Sequence, residues 1–291
     1  MALVAAFDLE CWQMDAIAAF TNAEIDHTVY VACAEGFEET GMVLLLQRAL
    51  YGLRKSPKLW FEEMSATLQK QGCYPCSDEP CLFVHEKQLI YIFVYVDDFL
   101  LIAPKEHKEH LEAIKQKLQE TYEFRDLGEV EHFLSVRVIR NRKAKKLSLL
   151  QDSYINKLTK KFSLQDKAAI LKGCETPMAS TFDGLPYEKQ ATPSQITAYQ
   201  QRTGSILYPA VVTRPDIAFA ASKLCQFNQN PGPSHIQEAD RCICYLSRTK
   251  NLAIQYSGEI SHPNYEEEPF SVFTAASDAS YGDVLPGRQS S

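Results

Sequence analysis

The chain has 291 residues, 45% of them hydrophobic and 11% aromatic, which is enough for a packed core and too long for one small module. Thirty basic residues against 37 acidic ones leave a net charge of −7, which argues against a uniformly basic nucleic-acid-binding surface. No apolar run reaches the roughly 18–20 residues of a membrane-spanning helix, and MALVAAFDLECWQ meets an acid at Asp8 with no basic region before it. Neither a membrane partner nor a signal peptide is therefore expected, and an intracellular, cytoplasmic protein is the default.

Residues 9–14 read as an apolar strand that reaches Asp15 and continues through 16–20. In residues 56–72, Trp60, Met64, Thr67 and Leu68 recur at helical spacing until Gly72 stops the run. Residues 82–85 form a short strand. The stretch 89–104, LIYIFVYVDDFLLIAP, has two apolar runs interrupted by Asp97 and Asp98, the pattern of two buried strands joined by a tight turn. Residues 105–122 make an amphipathic helix with Leu111, Ile114, Leu118 and Tyr122 on one stripe. Strands at 133–139 and 147–150 flank a basic turn. This order predicts an α+β fold, a small antiparallel sheet with helices on one face.

A helix is expected at 154–162, then an irregular linker over 163–193 carrying Pro177, Pro186 and Pro193. Helices follow at 194–207, 216–229 and 234–247, with Pro215 and Pro233 placed to start two of them. Strands at 253–256 and 270–275 enclose an acidic loop. Domain boundaries are expected near residues 150 and 250.

Nine cysteines, an odd number at scattered spacings, fit a chain without disulfide staples. Cys73, Cys76 and Cys81 form a C-x2-C-x4-C cluster that a zinc site would have to complete with His85; free thiols on a half-buried turn and strand are the simpler reading. Between Arg137 and Lys161 lie nine basic residues (Arg137, Arg140, Arg142, Lys143, Lys145, Lys146, Lys157, Lys160, Lys161) and one acid, Asp152. Such a stretch suits a phosphate backbone, or equally a solvated hairpin tip and helix face. Asp97 and Asp98, adjacent between apolar strands, repel each other unless a hard divalent cation such as magnesium compensates, although Asp is also an ordinary turn residue. Asp15, at the end of an earlier strand, supplies the further carboxylate a two-metal site needs.

Specific motifs sharpen this. QMDAIAAF (residues 13–20) resembles the first catalytic motif of reverse transcriptases, and YVDD (residues 95–98) resembles their third. ALYGLRKSPKLW (49–60), CAEGF (33–37), RDLGEVEHFLSVRV (125–138), LLQDSYINKLTKKF (149–162) and TRPDIAFA (213–220) resemble, in order and spacing, segments of the copia-type retrotransposon family. The resemblance implies a right-hand polymerase palm over 1–150, a helical thumb and connection over 151–250, and the start of a ribonuclease H-like domain over 251–291. It implies RNA-directed DNA synthesis on a primed RNA or DNA template from deoxynucleoside triphosphates, within a pol polyprotein. The cell compartment would be the cytoplasm, in virus-like particles, or the nucleus. Asp15 and Asp97 would hold two magnesium ions, replaceable by manganese, with Asp98 assisting. Phe20 would exclude a ribose 2′-hydroxyl, although a core aromatic on a strand end would occupy the same position. Tyr51, Gly52 and Tyr95 would lie against the nucleotide. Leu127 and Gly128 would begin a primer-gripping hairpin, with the basic residues beyond it near the duplex. Asp278 would be a ribonuclease H metal ligand whose partner carboxylates are not in the sequence, so no such nuclease activity is expected.

The chain departs from the family where fingers residues would precede Asp15, and at Ile17, Ala23, Ala34, Lys55 and Ser135, where a lysine, a glycine, a proline, a glutamine and a glycine are usual. A catalytically inactive remnant is the alternative these departures raise. Another palm enzyme such as a nucleotide cyclase would leave YGLRKSP and TRPDIAFA unexplained.

Overall fold

A computed structural model describes residues 1–165 and 174–258. Within them lie two compact units, Met1–Ser148 with Gln255–Gly258, and Leu149–Ile254.

The first unit opens with α1 (Ala2–Ala6) and β1 (Glu10–Ala16); a two-stranded ribbon, β2 (Tyr30–Val31) and β3 (Leu44–Leu45), precedes α2 (Ser56–Gln69). Then come β4 (Cys73–Pro75), β5 (Leu82–His85), β6 (Tyr91–Tyr95), β7 (Asp98–Ala103), α3 (Lys108–Thr121) and β8 (Phe124–Glu129). The six long-range strands make one sheet in the order β4-β5-β6-β7-β1-β8, with every neighbouring pair antiparallel. The result is a mixed α and β unit built on an antiparallel sheet.

Alternation along the strands decides which face is core. Met14 and Ala16 of β1, Phe99, Leu101 and Ala103 of β7, Ile92 and Val94 of β6 and Phe83 of β5 form one buried cluster with the helices. Trp60, Met64 and Leu68 of α2, four residues apart, and Leu111, Ile114 and Leu118 of α3 complete it. Each such side chain contributes roughly 1.5–3 kcal/mol through removal from water. The other face of β1 and β7 is the one that carries Asp15 and Asp98.

Several local expectations need correction. Residues 19–22 are a 3-10 turn (Ala19–Asn22), not the end of a strand: Ala18 sits at φ +51°, and the Asn22 amide donates to the carbonyls of Ile17, Ala18 and Ala19. Residues 105–107 are also 3-10, so the following helix begins at Lys108. β8 is a strand the sequence reading did not contain. The strand expected at 133–139 is a hairpin, β9 (His132–Phe133) and β10 (Val136–Asn141), because Leu134 (φ +48°) and Ser135 (φ +63°) turn the chain. β10 joins β11 (Lys146–Leu150) and β12 (Ile254–Ser257) in a second sheet ordered β12-β11-β10-β9.

The second unit contains α4 (Asp152–Lys161), α5 (Pro193–Val212), a 3-10 turn (Pro215–Ile217), α6 (Ala218–Cys225) and α7 (Pro233–Arg248). Thr192 and Gln195 form a reciprocal capping box at the start of α5. The core joins Ile155 and Leu158 to Tyr199, Ile206, Leu224, Cys242, Ile243 and Leu246. Arg214 is buried, forked onto Asp216 (2.9 and 2.7 Å) and donating to the Thr249 carbonyl at 3.1 Å. Residues 174–192 of the expected linker carry no helix or strand but are pinned in place. The Asn230 amide donates to the carbonyls of Tyr187 and Lys189 and accepts the Ala191 N–H. Among the described residues no helix is long and apolar enough to cross a membrane. Asp278 and the strand expected at 270–275 lie outside the described residues.

Candidate active site

The carboxylates meet through strand register. β1 and β7 are antiparallel neighbours in which Asp15 is the direct partner of Asp98, and β6 pairs Tyr95 with Asp98. Asp97 sits in the two-residue turn between β6 and β7. All three acids thus lie at one end of the central strands. Val96, at φ +57°, occupies the first position of that turn, where a two-residue hairpin normally asks for glycine. Two bonds to its carbonyls hold the turn: the Trp60 indole N–H donates to the Val96 carbonyl at 2.6 Å, and the Ala16 backbone N–H donates to the Asp97 carbonyl at 2.7 Å.

Burial, followed by the neighbouring charges of Asp97 and Asp15, pushes the Asp98 carboxyl above its ordinary range; a Gln13 amide bond at 3.4 Å works against that shift. Arg125, the register partner of Asp15 on β8, approaches it at 3.6 Å. Gln13, Arg125 and Trp60 carry no local sequence signal for these contacts, because their partners lie 36 to 110 residues away in the chain.

The chemistry of this donor set, three clustered carboxylates with Asp98 destabilised in its charged form, fits a hard divalent cation. The side chains are not closed into a cage: among the described residues no three acidic, histidine or cysteine side chains converge on one point. Of the zinc alternative, Cys73 is buried in the core with its thiol pushed up to about 11 by burial. His85 instead faces His110, Nε2 to Nε2, at 3.2 Å, and its Nδ1 accepts the Lys87 N–H.

The residues assigned to the nucleotide are partly brought together. Phe20 and Tyr51 meet at 4.4 Å between ring centroids with their planes tilted by 43°, Phe20 buried in the core cluster and Tyr51 exposed. Gly52 sits at φ +100° with open space around its Cβ position, so the backbone conformation rather than crowding calls for glycine. The Ser56 hydroxyl both donates to the Leu50 carbonyl (2.6 Å) and accepts its N–H (3.1 Å), fixing this loop to the start of α2. Tyr95 is exposed beside the acids. Leu127 and Gly128 lie on β8, next to β1; Gly128, at φ +75°, donates its N–H to Asp126.

The basic hairpin divides. Arg140, its side chain only 8% exposed, pairs with Asp8 (2.8 Å) and Glu129 (3.3 Å). Arg142 pairs with Asp8, Glu10 and Glu129 at 3.0–3.4 Å. These two arginines are engaged inside the unit, whereas Lys143, Lys145 and Lys146 are exposed on the turn.

Comparison with known proteins agrees with this geometry. Residues 1–180 match the family model described as reverse transcriptase (RNA-dependent DNA polymerase). The chain is 29% identical over 272 residues to the retrovirus-related Pol polyprotein from transposon TNT 1-94 of Nicotiana tabacum, covering 89% of this chain and 20% of that protein. It is 32% identical over 250 residues to the putative transposon Ty5-1 protein of Saccharomyces cerevisiae, covering 84% of this chain and 78% of that protein. It is 30% identical over 248 residues to the Pol polyprotein from transposon RE1 of Arabidopsis thaliana, covering 83% of this chain and 16% of that protein. The chain therefore spans about a fifth or less of the two plant polyproteins and most of the yeast protein. With more than half its length matching one family model, and with relatives of the TNT, RE and Ty kinds, the chain belongs to the copia-type reverse transcriptases, RNA-directed DNA polymerases of retrotransposon Pol polyproteins.

Proposed function

We propose that the first unit is a polymerase palm that extends a primer on an RNA or DNA template, with the second unit as thumb and connection. Asp15 and Asp97 would hold two magnesium ions, with Asp98 assisting. Held there, such ions would supply a lowered pKa at the primer 3′-hydroxyl and neutralisation of the incoming nucleotide's phosphates. The protein's own part is positional. The β1–β7 register sets Asp15 against Asp98, the Val96–Asp97 turn presents Asp97, and Tyr51, exposed and backed by the buried Phe20, would lie against the sugar and base. Leu127 and Gly128 would lie along the primer. Of the five basic residues expected at the duplex, Lys143, Lys145 and Lys146 are the exposed ones and carry that role here. Partners would be the primed template, deoxynucleoside triphosphates and the rest of a Pol polyprotein, in a cytoplasmic or nuclear setting. Asp278, which lies outside the described residues, would be a ribonuclease H-like metal ligand.

The observation that carries the reading is the pairing of Asp15 with Asp98 on adjacent strands, with Asp97 in the turn beside them. Primer extension on oligo(dT)-primed poly(rA) with magnesium or manganese tests it, beside an Asp97→Asn, Asp98→Asn double variant. Extension lost in the variant supports a working palm. A folded sample with no extension under either metal favours the second reading, a remnant that binds metal or nucleic acid without turnover. The unclosed arrangement of the carboxylates is the observation on that side.

A further inference from the structure

The turn that presents Asp97 and Asp98 is built against its own backbone preference. Val96 is β-branched and sits at φ +57°, a region that costs an L-residue of this kind free energy wherever it is imposed. Such a conformation persists only when its surroundings over-determine it. Here the surroundings are specific. The Val96 side chain packs against the core cluster, and its carbonyl accepts the Trp60 Nε1–H at 2.6 Å.

Trp60 is itself immobilised. It is 1% exposed and meets Tyr122 edge to face at 5.3 Å, and the Tyr122 hydroxyl is tied to Thr67 (2.8 Å) and Glu63 (2.9 Å), both on the same helix as Trp60. An indole N–H can only donate, and a buried one needs an acceptor. That same helix begins at Ser56, whose hydroxyl fixes the loop carrying Tyr51 and Gly52. One rigid element therefore contacts both the nucleotide loop and the carboxylate turn.

We propose that Trp60 is a positioning residue: its indole N–H pins the Val96 carbonyl and so holds Asp97 and Asp98 against Asp15. The proposal rests on the reading of these carboxylates as a divalent-ion site, and its test separates the two. The full chain is compared with Trp60→Phe, which keeps a ring and removes the donor. Amide hydrogen exchange over the peptide spanning residues 95–99 reports the turn directly, and manganese binding followed by electron paramagnetic resonance reports its consequence without any need for activity.

Trp60→Phe leaves a buried carbonyl without its donor, and the expected result is exchange at the turn about tenfold faster and manganese affinity about tenfold weaker. Adding Val96→Gly restores affinity, because glycine adopts the same φ without strain. The double variant also serves if Trp60→Phe alone fails to fold: set against Val96→Gly alone, it must show no more than a small loss of affinity. A folded Trp60→Phe with unchanged exchange overturns the proposal, as does faster exchange with unchanged affinity for manganese that the Asp97→Asn, Asp98→Asn variant no longer binds. If wild-type manganese binding survives Asp97→Asn, Asp98→Asn while Trp60→Phe still loosens the turn, the metal reading falls and the turn-holding role stands.

Discussion

Lys115 offers a sharp test of how the sheet is held beneath the carboxylates. Its side chain is 1% exposed, yet its ammonium meets Asp126 at 2.8 Å and Glu112 at 3.3 Å and lies 3.9 Å from the centroid of the Trp12 ring. Asp126 in turn accepts the Gly128 N–H on β8, the strand that sets Arg125 opposite Asp15. Replacing Lys115 with Met keeps most of the apolar volume and deletes the charge. A hydrogen bond between charged groups is worth about 1.5–3 kcal/mol and a desolvated cation–π contact up to about 2 kcal/mol. Against these stand the relief of the buried ammonium and the screening of Asp126 and Glu112, each 39% exposed. The net loss is about 2 kcal/mol, or a fall of about 4–8 °C in Tm for a unit of this size. The pH dependence gives an internal check. Burial pushes Asp126 up, but the Lys115 and Gly128 bonds more than offset it and hold the carboxyl below its usual 3.8. Stability from a depressed carboxylate is present above the unfolded pKa and lost as pH falls through the folded value, so the Lys115→Met penalty is full at pH 7 and shrinks below 3.8. Thermal unfolding of both proteins at a series of pH values measures this. A Lys115→Met protein as stable as wild type at pH 7, or a penalty that does not change with acid, would refute the reasoning.

Further outcomes follow from other parts of the first unit. Asp98→Asn raises Tm at pH 7, because burial and the charges of Asp97 and Asp15 disfavour the ionised form; the gain shrinks as pH falls through the raised folded pKa and is gone below about pH 3.8, where the wild-type carboxyl is protonated in both states. Unfolding curves for the two proteins at neutral and acid pH decide this, and an equal or lower Tm at pH 7 counts against it. Arg140→Ala removes one of the cations shared by Asp8 and Glu129, both of which keep Arg142, and costs about 1 kcal/mol by urea denaturation, with little change in the salt dependence of nucleic-acid binding. Replacing Lys143, Lys145 and Lys146 with serine does the reverse: stability stays within about 0.5 kcal/mol while the slope of log K against log salt falls. Ser135→Gly stabilises by about 0.5–1 kcal/mol, since Leu134 and Ser135, both at positive φ, form a two-residue hairpin turn that favours glycine at its second position.

The chemistry of the sheet was more legible than its edges. The apolar runs on either side of Asp97 and Asp98 could only be paired strands, and the four-residue spacing of Trp60, Met64 and Leu68 marked α2 before its partners were known. β8 escaped because FRDLGE has neither an apolar run nor clean alternation; it is an edge strand, paired on one side to β1 and largely exposed. The Leu134–Ser135 turn escaped because the residue that announces such a turn, glycine, is absent. Among the candidate site residues, the carboxylates that the strand register brings to one end of the sheet stood out by type and by flanking sequence. Arg140 and Arg142 looked available because their partners Asp8 and Glu10 lie more than 130 residues earlier, and an ion pair across that distance leaves no pattern in the chain.

The division of β1 between two faces also limits how this sequence can change length. Met14 and Ala16 point into the helices while Asp15 points away, so deletion or insertion of a single residue between Glu10 and Asp15 would exchange those roles. A carboxylate would enter the apolar layer, and a methionine would stand opposite Asp98. The β1–β8 pairing already absorbs one irregularity between Gln13 and Met14, so little slack remains on that side. Length variants in this strand should survive only in steps of two.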